Sequence, residues 1–213
     1  MSLLSPSILT KIQEWSQEPY DSETCSEIKN LLSQQKESEL YDRFYRDLEF
    51  GTGGMRGVMA AGTNRMNRYT VSKATQGLAN YLKELGMQKK GVAIAYDSRN
   101  QSRFFAETAA GVLAGNGIAV YFFEEPHPTP FLSFAVRHLK AAAGILITAS
   151  HNPPEYNGYK VFFEDGGQIL PPHDANIIAH VEKIASLSEV FWGSPEEKQK
   201  HLQIMDDSTE QAY

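Results

Sequence analysis

Between residues 69 and 163 the chain alternates apolar runs of strand length with amphipathic runs of helix length, joined by short connections. Residues 69–85 place Val71, Ala74, Leu78, Leu82 and Leu85 on one helical face, and Gly86 provides a stop. GVAIAY at 91–96, IAVYFF at 118–123 and GILI at 144–147 read as short buried strands. Residues 104–114 and 128–139 read as the helices between them. A further strand is expected at 159–163 and a helix at 176–187. Such βαβα alternation predicts an α/β domain of three α/β/α layers around a mostly parallel, mixed sheet.

The flanks differ from this middle. Residues 1–47 are rich in Glu, Gln, Lys, Ser and Leu. Ile8, Ile12 and Trp15 recur at helical spacing, as do Ile28, Leu31 and Leu32, so two or three short helices are expected, with Pro19 separating the first two. Residues 193–213 are polar and read as a linker. The predicted organisation is a helical extension at 1–47, the α/β domain at 48–192 and a linker at 193–213.

A formal charge of -6 gives no electrostatic footprint for nucleic acid or anionic membrane. A site for an anionic substrate must then be a local positive patch. Cys25 is the one cysteine, has no internal disulfide partner, and reads as a bystander. His138, His173 and His180 lack metal spacing. No segment approaches the roughly 20 apolar residues of a membrane span, and the first residues lack an apolar stretch of signal-peptide length. A cytoplasmic location is expected.

In sheets of this kind chemistry gathers in loops beyond the carboxyl ends of the strands. Three loops qualify: 97–102, 124–129 and 148–158. The last carries Thr148-Ala149-Ser150-His151-Asn152-Pro153-Pro154 directly after an apolar strand. Asn152 precedes proline and is biased towards extended backbone, and the two prolines stiffen the exit. Ser150 is therefore either a nucleophile presented at a set angle or, with Asn152, part of a capped structural loop. Ser150 and His151 make a poor hydrolase pair, because adjacent side chains on extended backbone point opposite ways and a G-x-S-x-G elbow is lacking.

Lys160 follows the turn signal Asn157-Gly158. A chain folding back there returns the ammonium to the serine's pocket, to balance phosphate charge or move a proton; otherwise Lys160 is a solvated strand lysine. Four of the seven residues from Gly51 to Gly57 are glycine. That loop can bring backbone N–H groups against an anion, with Arg56 adding a bidentate fork. Arg99 either steers phosphate or pairs with Asp97 to lock its loop. His127, held between two prolines, either borders the cleft or is a satisfied surface histidine.

Taken together, these loops resemble a known family. TASHNPPEYNGYK at 148–160 resembles the phosphoserine loop of the alpha-D-phosphohexomutase superfamily, which includes phosphoglucomutases and phosphomannomutases. FGTGGMRG at 50–57, AYDSR at 95–99 and PHPTPFLSFAV at 126–136 are similar to three further segments, in the same order. The likeness runs from about residue 49 to 184. The helical extension and the GTGGMRG variant resemble the larger phosphoglucomutase/phosphopentomutase-like branch.

The resemblance implies that Ser150 is phosphorylated at rest, donates its phosphoryl group to a sugar monophosphate, and takes back the other phosphate from the bound bisphosphate. It implies catalytic roles for Ser150, His151, Lys160 and Arg56. It implies phosphate or substrate contacts from Thr52, Gly53, Gly54, Asn152 and Arg99. Mg2+ would be held in part by an oxygen of the Ser150 phosphate, and a sugar bisphosphate would act as activator. The family has four domains, and its aspartate-rich metal loop, sugar-selecting loop and distal phosphate clamp lie in the other three. None of these appears here, and Asp206-Asp207 does not match the metal loop. The chain is thus expected to be a first domain that needs the remaining mutase domains as partners and is inactive alone. The alternative is a noncatalytic phosphosugar-binding or assembly module.

Overall fold

The computed structural model describes residues 3–213. Three short helices open the described chain: α1 (Pro6–Glu14), α2 (Ser22–Ser33) and α3 (Glu37–Phe44). Ser5 caps α1 and Asp21 caps α2 by accepting backbone N–H bonds. Ile8, Ile12, Trp15, Ile28, Leu40 and Phe44 form a small core of their own, closed by Ala61 and Tyr69 from the next segment. Arg43 is buried and ion-paired with Glu27 and Glu39, and it also donates to the Ala61 carbonyl. The extension is therefore attached through a polar clamp as well as an apolar contact.

Beyond it run β1 (Gly54–Val58), α4 (Arg68–Glu84), β2 (Val92–Tyr96), α5 (Ser102–Gly115), β3 (Val120–Phe122), α6 (Thr129–His138), β4 (Ala143–Ile147), β5 (Tyr156–Phe163) and α7 (His173–Glu182). The chain ends in α8 (Pro195–His201), β6 (Leu202–Ile204) and α9 (Ser208–Ala212). The sheet has six strands in the order β1-β5-β4-β2-β3-β6. β4, β2 and β3 are parallel, whereas β5 runs antiparallel to both β4 and β1. β2 and β4 are buried at every residue, as expected for strands covered on both faces. Val92, Ile94 and Tyr96 pack with α4, α5 and α7, while Ala93 and Ala95 face α6. The expected three-layer mixed sheet is present.

Three readings are refined by the structure. Asn157-Gly158 lies inside β5 and the reversal comes earlier, in residues 150–155. Gly158 is in the strand because a Cβ there would lie 2.5 Å from the Thr148 carbonyl oxygen. The glycine-rich segment continues into the edge strand β1, with Gly54 opposite Lys160. Residues 193–213, read as a linker, are folded onto the sheet as α8, β6 and α9, and β6 adds in parallel to β3. Its three residues are too few, and too exposed, to show an apolar alternation. The Tyr213 ring meets Phe131 edge-on at 5.4 Å. Among the described residues no helix is long and apolar enough to cross a membrane.

Tyr69 locks the extension to α4. Its hydroxyl donates to the Asp21 carboxylate and accepts the Asp21 N–H, both at 2.7 Å. Burial opposes the charge on Asp21, but bonds from Thr24 and Tyr69 outweigh it and hold the carboxyl below its usual range. Such a group stabilises the fold above its unfolded pKa, near 4, and loses that contribution as pH falls through the lower folded value. We expect Tyr69→Phe to cost about 1–3 kcal/mol. Urea denaturation at pH 7 and below pH 4 should also show a shallower acid loss in the variant than in the wild type.

Candidate functional site

Ser150 sits on the turn that joins β4 to β5, at the carboxyl end of the sheet's central strands. It is exposed and holds φ of 55°, in the left-handed region that non-glycine residues seldom occupy. Its N–H donates to Thr148 Oγ1 at 2.9 Å, and the Asn152 N–H donates to the Ala149 carbonyl at 3.1 Å. These bonds tie the turn to the end of β4.

Antiparallel pairing then brings Lys160 back. Ile147 lies opposite Tyr159 and Leu146 opposite Lys160. The Lys160 ammonium donates to Ser150 Oγ at 2.8 Å. Beneath it, Tyr159 is fully buried, and its hydroxyl accepts from Thr75 at 3.1 Å. Burial pushes that phenol well above its usual range, so it stays neutral and acts as a post rather than an acid or base.

A groove of about 430 Å³ lies beside the serine turn, its polar wall formed by Arg46, Glu49, Thr52, Arg56, Thr148, Lys160 and Gln168. Three cations against one carboxylate make a local positive patch in an acidic chain. Arg56 is exposed on β1. Within the glycine loop, Gly51 and Gly54 exchange hydrogen bonds at 2.8 and 3.0 Å. The N–H of Gly54 is therefore spent inside the loop, contrary to the expectation that it meets phosphate. That leaves Thr52 and Gly53 as backbone donors. Gln168 pins the loop by donating to the Gly53 carbonyl at 3.2 Å. A larger cavity, of about 1040 Å³, opens between the helical extension and α4. Ser150 lines neither cavity, but its neighbours Thr148 and Ala149 and its partner Lys160 line only the smaller one, and in the larger one Lys11 and Lys73 both face Asp47.

His151 is exposed and Asn152 half-buried, both within the turn. The Arg99 guanidinium, read either as steering phosphate or as pairing with Asp97 to lock its loop, lies 3.5 Å from Asp97 and is bonded to backbone carbonyls of the serine turn. His127 packs inward, stacked on Phe131 at 4.0 Å with Nε2 3.1 Å from the Glu210 carboxylate. Among the described residues no three His, Cys, Asp or Glu side chains gather as a metal site.

Thr148, Asn157, Gln168 and Arg46 border the site or hold it in place, parts that the sequence alone does not assign to them. Asn157 is buried and donates to the Asn100 carbonyl and to Ser102 Oγ, both at 3.0 Å, tying β5 to the start of α5. Thr148 has a readable signal, since a threonine two residues before the serine can form a hydroxyl-backbone turn. Gln168 and Arg46 have none.

Residues 47–188 match the family model described as phosphoglucomutase/phosphomannomutase, alpha/beta/alpha domain I. The chain belongs to that family, within the alpha-D-phosphohexomutase superfamily. It is 41% identical over 178 residues to a human phosphopentomutase, covering 80% of this chain and 29% of that protein. It is 40% identical over 186 residues to mouse glucose 1,6-bisphosphate synthase, covering 84% and 30%. A Thermus thermophilus protein solved as a candidate phosphomannomutase superposes with a TM-score of 0.63 at 35% identity, covering 76% of this chain and 34% of that one. The chain thus spans about a third of the length of these relatives. Its matched residues form a domain of phosphosugar mutases.

Gly158→Ala should test whether the register of β5 builds the site. The added methyl would press on the Thr148 carbonyl, and overpacking of this kind costs about 1–3 kcal/mol. We expect a lower thermal midpoint, and loss of the Lys160–Ser150 contact in a crystal structure of the variant.

Proposed function

We propose that this chain is the phosphoserine-bearing domain of a mutase that interconverts hexose 1-phosphate and hexose 6-phosphate. The observation that carries the reading is the 2.8 Å contact between the Lys160 ammonium and Ser150 Oγ at the rim of a cationic groove. In the first step a sugar hydroxyl attacks the phosphorus on Ser150 and gives up its proton to solvent. The bond from phosphorus to Ser150 Oγ breaks as the bond to the sugar oxygen forms. Lys160 is placed to give Oγ its proton and to balance charge, and Arg56 stabilises the phosphoryl oxygens. The bisphosphate turns over, Oγ returns its proton to Lys160, and Ser150 attacks the other phosphorus. The bond from that phosphorus to its sugar oxygen breaks as the bond to Oγ forms, and the sugar oxygen leaves as a hydroxyl with a proton from solvent. A covalent phosphoserine divides the isomerisation into two displacements at one nucleophile. Such transfers depend mainly on positioning and charge stabilisation. His151 and Asn152 shape the turn, and Thr52 and Gly53 offer their N–H groups to phosphate.

Mg2+ fits this chain only in part. A phosphate oxygen on exposed Ser150 can be one ligand, while the neighbouring side chains Lys160 and Arg56 suit phosphate and not a cation. When bound, Mg2+ would draw charge from the transferring phosphoryl group. Its other ligands, the sugar-selecting groups and the distal phosphate clamp would come from further mutase domains. The relatives named for pentose and for glucose bisphosphate chemistry fit a serine domain that is shared while the sugar is chosen elsewhere.

The test is the mass of the endogenous protein from its source cells with phosphopeptide mapping over residues 141–160. A chain far heavier than 23.8 kDa with phosphate on Ser150 is expected. A 23.8 kDa chain without that phosphate would shift the reading to a binding or assembly module. Ser150→Ala should abolish phosphate uptake. The purified 213-residue chain, given Mg2+ and a sugar bisphosphate, should show no mutase turnover, and measured turnover would overturn that expectation.

A further inference from the structure

We propose that Arg99 is a positioning residue that sets the direction of Ser150 Oγ, an inference that rests on the phosphoserine reading above. One guanidinium gathers four carbonyl oxygens of the serine turn. Nη2 donates to Ser150 at 2.8 Å and to Asn152 at 2.6 Å. Nη1 donates to Pro153 at 3.0 Å and to Tyr156 at 3.3 Å. These residues span the whole reversal between β4 and β5, so a single cation fixes the turn from Ser150 to the start of the returning strand.

The origin of the fork is itself fixed. The Arg99 N–H donates to Asp97 Oδ1 at 3.0 Å, and the Ser102 hydroxyl donates to the same oxygen at 2.7 Å. Arg99 Nε lies 3.5 Å from Asp97 Oδ2. Ser102 in turn accepts from buried Asn157 on β5. The end of β2, the start of α5 and the returning strand thus form one polar frame, and Arg99 reaches from it to the turn.

The left-handed backbone at Ser150 needs such support. Side chains disfavour that region, so it persists only where neighbours over-determine it. Carbonyl dipoles crowded into one turn also repel unless a cation collects them. Arg99 does both: it holds the Ser150 carbonyl on one cation while Oγ meets another, Lys160. A planar fork with five donors can meet four acceptors, whereas an ammonium has three donors and no fixed plane. Without the fork, Ser150 relaxes to ordinary backbone and Oγ swings off Lys160.

The test compares the wild-type 213-residue chain with R99M, R99K and S150A. Crystal structures read Ser150 φ and the distance from Oγ to Lys160 Nζ. Intact mass follows phosphoryl uptake by Ser150 from a sugar 1,6-bisphosphate with Mg2+, and calorimetry gives the thermal midpoint. We expect R99M to fold, to lose the left-handed Ser150 and the Lys160 contact, and to take up phosphate roughly a hundredfold more slowly, the scale of a misplaced reacting group. R99K should recover part of that rate. An unchanged Ser150 geometry in R99M, or uptake at the wild-type rate, would overturn the proposal. If R99M fails to fold, R99K decides by the same readouts, and wild-type geometry with a wild-type rate would refute the clamp. If the wild-type domain takes up no more phosphate than S150A, the crystal geometry alone decides: a turn that moves in R99M supports the clamp and an unmoved turn refutes it, while the mutase reading is judged separately by phosphate on Ser150 of the endogenous protein.

Discussion

The antiparallel pairing of β5 with β4 is the constraint on which the site depends. Every other neighbouring pair among the central strands is parallel and needs a helix to cross over. Here the chain reverses within a few residues, so the Ser150 hydroxyl at the end of one strand meets a cation from the next. The pairing has no slack. A slip of one residue would turn Lys160 to the opposite face and bring buried Tyr159 to the groove. Tyr159, anchored by Thr75 on α4 and packed against Phe50, opposes such a slip from within the core.

The same strand organises the groove's other wall. β1 pairs with the far edge of β5, so Arg56 and Lys160 line one groove through backbone bonding rather than loop packing. Close approach there requires glycine: a Cβ on Gly54 would lie 1.9 Å from the Tyr159 carbonyl oxygen. The helical extension stands behind this wall. Its clamp through Arg43 and its aromatic contacts at Tyr69 reach the connection from β1 to α4 and the first turn of α4.

Much of this is legible in the sequence, and the limits have physical causes. Buried strands such as VAIAY and AGILI announce themselves because both faces are covered. Ser150 and Lys160 stand out because an apolar strand leads into an unusual polar turn. The reversal lies earlier than its composition suggests, because Asn157-Gly158 has the residues of a turn, whereas a buried amide and a close backbone contact put it in a strand. β6 leaves no trace in the sequence because its pairing is made by backbone groups and its side chains are partly or largely exposed. Arg99 can be read either way, as a phosphate ligand or as the partner of Asp97, and a guanidinium serves a row of carbonyls equally well. Its partners are up to 57 positions away and become visible only in the fold.

The serine turn has one more property. A phosphate-gripping loop encloses its anion with free backbone N–H groups. Here the N–H groups of Ser150 and Asn152 are already committed, one to a threonine hydroxyl and one to a carbonyl. A turn wired in this way holds a side chain out firmly while offering little of its own backbone to whatever that side chain carries. In the function proposed above, cargo on Ser150 would be retained chiefly by its covalent bond and by groups across the groove, which would suit a carrier that must hand its load over and receive another.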